Sequence, residues 1–136
     1  MDKKRRDIVR AVLIREAKVL LLETAGNGQV FELPGGEVRK KADGFRMTET
    51  TESALIRVAR EILGISVRNE RLVGVFQVEP PSSGSRWLYL CSFVGVPLIR
   101  DPSKFMRMLW ATRQEIQEFI CLGLLAPGTE HVTQLL

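Results

Sequence analysis

Residues 48–64 carry one compact helix signal with strand-like runs on both sides, and this arrangement restricts the fold more than any other feature. Thr48-Glu49-Thr50-Thr51-Glu52 offers side-chain oxygens that can cap a helix, and early carboxylates that suit its positive end. Ala54, Leu55, Val58, Ala59, Ile62 and Leu63 then recur at helical spacing, and Gly64 stands where a C-terminal glycine belongs. The spacing predicts a helix body over 53–63. Upstream, Ile8–Arg15 and Lys18–Glu23 are apolar runs separated by Glu16-Ala17, a predicted hairpin. Gln29–Leu33 is a predicted short strand whose ladder stops at Pro34-Gly35-Gly36. Downstream, 65–67, 72–78, Trp87–Val96 and Phe105–Ala111 are predicted strands. Thr112 caps a second helix over 113–120, and the tail after Pro127 suits a short third one. Strands before and after a helix, without regular alternation, imply an α/β chain of the α+β kind: a mixed sheet flanked by helices.

The 136 residues suit one domain, taken as 7–136 behind a basic arm at 1–6. Hydrophobic residues at 45% and charged residues at 26% allow a true core and exclude a disordered chain. The net charge of +4 comes partly from Lys3-Lys4-Arg5-Arg6, which reads as a solvated tail or as an arm for polyanions. The sequence has neither a helix rich in Lys and Arg nor a strand face interleaving basic and aromatic residues, which argues against nucleic acid as the partner. A second basic cluster, Arg39-Lys40-Lys41, falls in the polar predicted loop 37–47 and suits solvent and phosphate equally. No run approaches the roughly 18 apolar residues of a membrane span, and no long apolar stretch follows the N-terminal basic residues. The expectation is a cytoplasmic protein with no membrane partner. Cys91 reads as a buried thiol, and nothing in the spacing of Cys91 and Cys121 supports a disulfide or a metal site. Met47, Met106 and Met108 are expected in the core, and His131 is given no role.

Two features carry a family resemblance. The first is a strand ending in Leu33-Pro34-Gly35-Gly36; the second is the helix segment from Glu49 to Ile65. Together they resemble the Nudix box: Gly, five residues, Glu, seven residues, then Arg-Glu-aliphatic-any-Glu-Glu-any-Gly-aliphatic. Seven residues separate Glu49 from Arg57, and Glu61, Gly64 and Ile65 follow Arg57 in register. Leu72-Val73-Gly74-Val75-Phe76 is similar to the family's strand after the box, and Trp110-Ala111-Thr112 to its late Trp and capped helix. The resemblance covers about residues 7 to 120. It departs from the pattern at Val58 and Ile62, where the box has glutamates, and in seven extra residues between Gly36 and Glu49. A further acidic ligand often lies before the late Trp. Here Pro102 to Trp110 contains no Asp or Glu, and Asp101 is the nearest.

The resemblance implies a Nudix-type α/β/α sandwich and cleavage of the pyrophosphate bond of a nucleoside diphosphate derivative, assisted by Mg²⁺ or Mn²⁺. Such an ion would neutralise phosphate charge and activate water. By the same resemblance Glu61, Arg57 and Glu49 are the catalytic candidates, Glu61 and Glu49 the metal ligands, and Gly35, Gly36, Lys40 and Lys41 the contacts for the small-molecule nucleotide. Each has a structural alternative. Glu61 reads equally as a solvated helix residue, Arg57 as a salt-bridge partner of Glu61 or Glu49, and the two glycines as a tight turn.

Positions 58, 61 and 62 share one helix face, so Val58 and Ile62 turn a carboxylate stripe into an apolar one. Glu49 stands nearly two and a half turns before Glu61, roughly 18 Å by helical rise. The two meet only if the chain at Glu49 folds back and is not helical. Two functions follow: a hydrolase with an incomplete metal site and weak activity, or a catalytically inactive domain of the same fold that binds a nucleotide or a protein. Exposed strand edges and an apolar tail permit a homodimer.

Overall fold

The computed structural model describes residues 6–26, 28–39, 49–78 and 84–136. Residues 1–5 of the basic arm, Met47 and most of the loop with Lys40 and Lys41 lie outside them. The hairpin forms as expected, from β1 (Ile8–Arg15) and β2 (Lys18–Thr24). Its two turn residues, Glu16 and Ala17, both sit at positive φ, 54° and 61°. That turn matches the right-handed twist of the flanking strands, which outweighs the cost of left-handed backbone at two residues with side chains.

A short β3 (Phe31–Glu32) pairs antiparallel with β2, where Gln29–Leu33 was the expected strand. The ladder does not stop at Pro34-Gly35-Gly36. It changes partner there. The Ala11 amide donates to the Pro34 carbonyl at 2.8 Å, and β4 (Gly35–Glu37) pairs antiparallel with the first residues of β1. Proline supplies no N–H but keeps a carbonyl, and glycines let the new strand lie close against β1. Glu37 is thus in a strand, not in a loop.

The helix α1 (Thr51–Leu63) leads into β5 (Ser66–Val78), which replaces two expected strands with one. Register shifts between Asn69 and Arg71 and between Leu72 and Gly74 absorb the irregularity that made the sequence read as two pieces. β6 (Gly84–Val94) begins three residues before Trp87 and ends two before Val96. The Ser85 amide donates to Asp7 Oδ1 at 2.9 Å and Arg86 Nη1 to the Arg6 carbonyl at 2.8 Å, so the early start of β6 is tied to the head of the chain. β7 (Phe105–Ala111) then pairs with β2, and α2 (Arg113–Leu122) follows with a capping box at Thr112 and Glu115. A 3-10 helix (Thr129–Leu135) closes the tail.

The seven strands form one mixed sheet, in which β1 runs parallel to β6 and antiparallel to both β2 and β4. Alternation along β1 divides the core. Val9, Ala11 and Leu13 meet Ala54, Leu55, Ala59 and Leu63 of α1. Val12 joins Leu21, Phe31, Leu33, Ile116 and Val132 on the side of α2 and the tail. Phe31 lies in this second core, stacked on Phe119 with ring centroids 4.5 Å apart. Cys91 is buried, Cys121 is exposed, and neither is in a disulfide.

Met106 corrects one expectation: it is 64% exposed. The β2–β7 register slips at this point, with Glu23 opposite Arg107 and Thr24 opposite Phe105, so Met106 is the extra residue and has no partner. Met108 does pack against the first core.

Candidate functional site

Thr50 caps α1: its backbone is extended and its hydroxyl oxygen accepts from the Ser53 amide at 3.1 Å. Glu49 therefore lies outside the helix. Its amide donates to the Arg39 carbonyl at 3.0 Å, and the Arg39 amide donates to Glu49 Oε1 at 3.0 Å. This pair of bonds turns Glu49 back toward β4 and meets the condition under which Glu49 and Glu61 can share a site. At the other end Gly64 adopts the left-handed conformation, φ 69°. The Leu63 and Ile62 carbonyls, left over by the helix, accept from the amides of Leu98 and Arg100, each at 3.1 Å.

Arg57 draws the pieces together. Nε donates to Glu49 Oε2 at 2.7 Å and Nη2 to Glu49 Oε1 at 2.8 Å, a two-pronged pairing. Nη2 also donates to the Glu37 carbonyl at 2.8 Å, and Nη1 to Glu61 Oε1 at 3.0 Å. One guanidinium thus fastens β4, the segment before the helix and the helix itself. Both partners are well shielded, with side-chain exposures of 20% for Arg57 and 18% for Glu49. The Arg57 hydrogen bonds hold the Glu49 carboxyl at about 2 against the opposing effect of burial, and the Arg39 amide adds to them. Glu49 in turn raises the Arg57 pKa above its ordinary value.

Glu61 differs. Its side chain is 50% exposed, and its second oxygen lies 3.5 Å from Arg39 Nη2. Arg39 is the member of this cluster that sequence reasoning did not single out. Its one signal was membership of the basic run Arg39-Lys40-Lys41, which does not say which of the three reaches the helix.

Gly35 and Gly36 sit between β1 and α1. A β-carbon on Gly35 would lie 2.2 Å from the Val9 carbonyl oxygen. One on Gly36 would lie 3.1 Å from a Val58 methyl. Val58 is buried beneath the glycine, and Ile62 packs on the first core. The apolar face of the helix is therefore filled. Asp101 does not join the cluster: its carboxylate accepts from the Ser103 amide at 3.0 Å, and its pKa is lowered mainly by the bond from the Ser103 side chain.

The carboxylates of the described residues do not fit a divalent cation. Among the described residues no group of three or more His, Cys, Asp or Glu side chains is placed to hold a metal. Both Glu49 oxygens already accept from Arg57, and the two Glu61 oxygens face Arg57 and Arg39. Mg²⁺ asks for a near-octahedral set of oxygens, and guanidiniums compete for the few on offer. Elsewhere, a cavity of about 480 Å³ is lined by Gln114, Gln117, Glu118, Cys121 and Leu122 of α2, and one of about 160 Å³ lies between β5 and the 3-10 helix. Neither includes a residue of the Arg57 cluster.

No family model matches the chain, and no curated protein does. Solved structures do. The chain is similar to a MutT Nudix hydrolase from Burkholderia pseudomallei at 22% identity and TM-score 0.78, over 96% of this chain and 97% of that one. It is similar to a Nudix hydrolase from Nitrosomonas europaea at 20% identity and TM-score 0.78, over 96% and 87%. An ADP-ribose pyrophosphatase from Streptococcus suis is similar at 19% identity and TM-score 0.60, over 82% and 76%. The chain has the Nudix fold. Among the described residues no helix is long and apolar enough to cross a membrane.

Proposed function

We propose that this chain, with its Nudix fold, acts on a nucleoside diphosphate derivative as a Nudix-type hydrolase whose cleavage of the pyrophosphate bond is slow. The observation that carries the reading is the meeting of Glu49, Arg57 and Glu61 beside Gly36, although twelve residues separate Gly36 from Glu49. Slow turnover follows from the chemistry of the two carboxylates. Glu49, held at about 2 by Arg57, is a poor proton acceptor near neutral pH. Glu61 is the one that a water can reach, being half-exposed. In this reading Glu61 receives the proton of the attacking water, Arg57 keeps both carboxylates in place, and the backbone at Gly35 and Gly36, packed close on β1 and α1, is the floor on which the phosphates rest. Lys40 and Lys41 would add positive charge from outside the described residues.

A second reading rests on a specific observation. Val58, buried, and Ile62, partly buried, fill the helix face with apolar groups, as in a domain that binds a nucleotide or a protein without turning anything over. Turnover of a panel of nucleoside diphosphate derivatives, compared between the wild type and Glu61→Gln, separates the two. Turnover that falls in the variant supports the hydrolase. Nucleotide-induced thermal stabilisation without turnover supports the binding domain. Absence of both points to a protein partner.

A further inference from the structure

We infer that the site takes the diphosphate of its ligand without a divalent cation, with the Arg39 guanidinium in the role that the ion would otherwise fill. The inference rests on the nucleotide reading above and concerns how that ligand is held.

The charges within the cluster decide it. Arg57 and Arg39 contribute two positive charges, Glu49 and Glu61 two negative ones, and Val58 and Ile62 none. A helix face with carboxylates at 58, 61 and 62 would repel phosphate and need an ion between. This one is neutral without an ion. Among the described residues of the cluster each carboxylate is already paired with a guanidinium, so no cation is needed to screen them from an anion, and the charge left to offset is that of the diphosphate itself.

The two arginines have separate tasks. Arg57 spends its Nε, Nη1 and Nη2 donors on Glu49, Glu61 and the Glu37 carbonyl, and it is largely shielded. It cannot turn to a ligand without releasing β4 from the helix. Arg39 is 66% exposed, and its contact with Glu61 is long, at 3.5 Å. A contact of that kind costs little to exchange. A guanidinium presents paired N–H groups that match phosphate oxygens, and it does so without ordering an ion. The backbone of Arg39 is meanwhile clamped to Glu49 by two hydrogen bonds, so the side chain starts from a fixed root beside Gly36 and Glu61.

The test is calorimetric titration of ADP into the full chain, once in excess EDTA and once in excess Mg²⁺, for the wild type, Arg39→Gln and Arg39→Lys. Equal affinity in the two buffers is expected, with roughly tenfold or greater weakening in Arg39→Gln and a smaller loss in Arg39→Lys, the size of one charge-assisted hydrogen bond. Arg39 is exposed, so the variants are expected to melt with the wild type, which thermal unfolding checks. Binding that appears only with Mg²⁺ overturns the inference and leaves the nucleotide reading standing. Metal-independent binding untouched by Arg39→Gln removes Arg39 from the role. No ADP binding in either buffer overturns the nucleotide reading, and the inference with it.

Discussion

Gly36 lies directly over Val58, and a single added carbon on the glycine would stand 3.1 Å from Cγ2 of the valine and 3.2 Å from Cγ1. An added methyl would have to push the valine back by a few tenths of an ångström, and Val58, buried and stiff at χ1, has little room to give. Gly36→Ala is predicted to cost about 1–3 kcal/mol through overpacking. Val58→Ala alone leaves a small void. The double substitution should cost about 1 kcal/mol less than the two singles together, because each relieves the other. Urea denaturation of the four proteins measures the coupling, and strict additivity would mean that the two side chains do not share this space.

Arg57 joins three segments, so its loss should be felt across the fold. Arg57→Ala is predicted to destabilise by about 2–3 kcal/mol, because Glu49 is left shielded with its charge unmatched. Glu61→Gln, at a half-exposed pair, should cost less than about 1 kcal/mol. Equal losses in the two variants, measured by chemical denaturation, would contradict the ranking.

The depressed Glu49 carboxyl makes a prediction about acid. In the folded chain it titrates at about 2, against 4.5 ordinarily. Between those values the unfolded chain binds the proton and the folded chain does not, so stability rises with pH there. The contribution is complete above about 4.5 and disappears as the pH falls to about 2. Glu49→Gln should flatten the melting temperature across that window and leave its slope at higher pH unchanged. A variant that keeps the wild-type acid limb would assign the acid sensitivity to other groups.

The two thiols should react very differently. Burial pushes the Cys91 thiol up to about 12, while Cys121 is exposed on α2. Native protein treated with iodoacetamide is expected to take one label, at Cys121, and denatured protein two. Peptide mass spectrometry reads both, and early labelling of Cys91 would show that β6 opens readily.

Much of this architecture is legible in the residue order, because the strands that matter are written in strong local code. The hairpin turn, the capped helix ending at Gly64, and Thr112 with Glu115 each depend on neighbours within a few residues. β4 is not legible in that way, because Gly35-Gly36 reads locally as a break and becomes a strand only by finding β1. The single long β5 is hidden for a related reason: its bulges are settled by the partner strand. Glu49, Arg57 and Glu61 stand out through the family resemblance, which is silent on Arg39, whose place depends on how the chain turns back before Thr50. Met106 shows the limit of composition, since a one-residue slip opposite Thr24 decides its exposure.

The parallel pairing of β1 with β6 has a consequence for synthesis on the ribosome. The Asp7–Ser85 bond joins residues 78 positions apart, and β1 has α1 and β5 between it and its parallel partner. A nascent chain can close the β1–β2 hairpin early, but the outer edge of β1 waits for β6 to emerge. Until then a row of unpaired amides and carbonyls stands beside Val9, Ala11 and Leu13, a template for other strands. Arg6 and Asp7, directly before that edge, place charged groups where a stray strand would first dock.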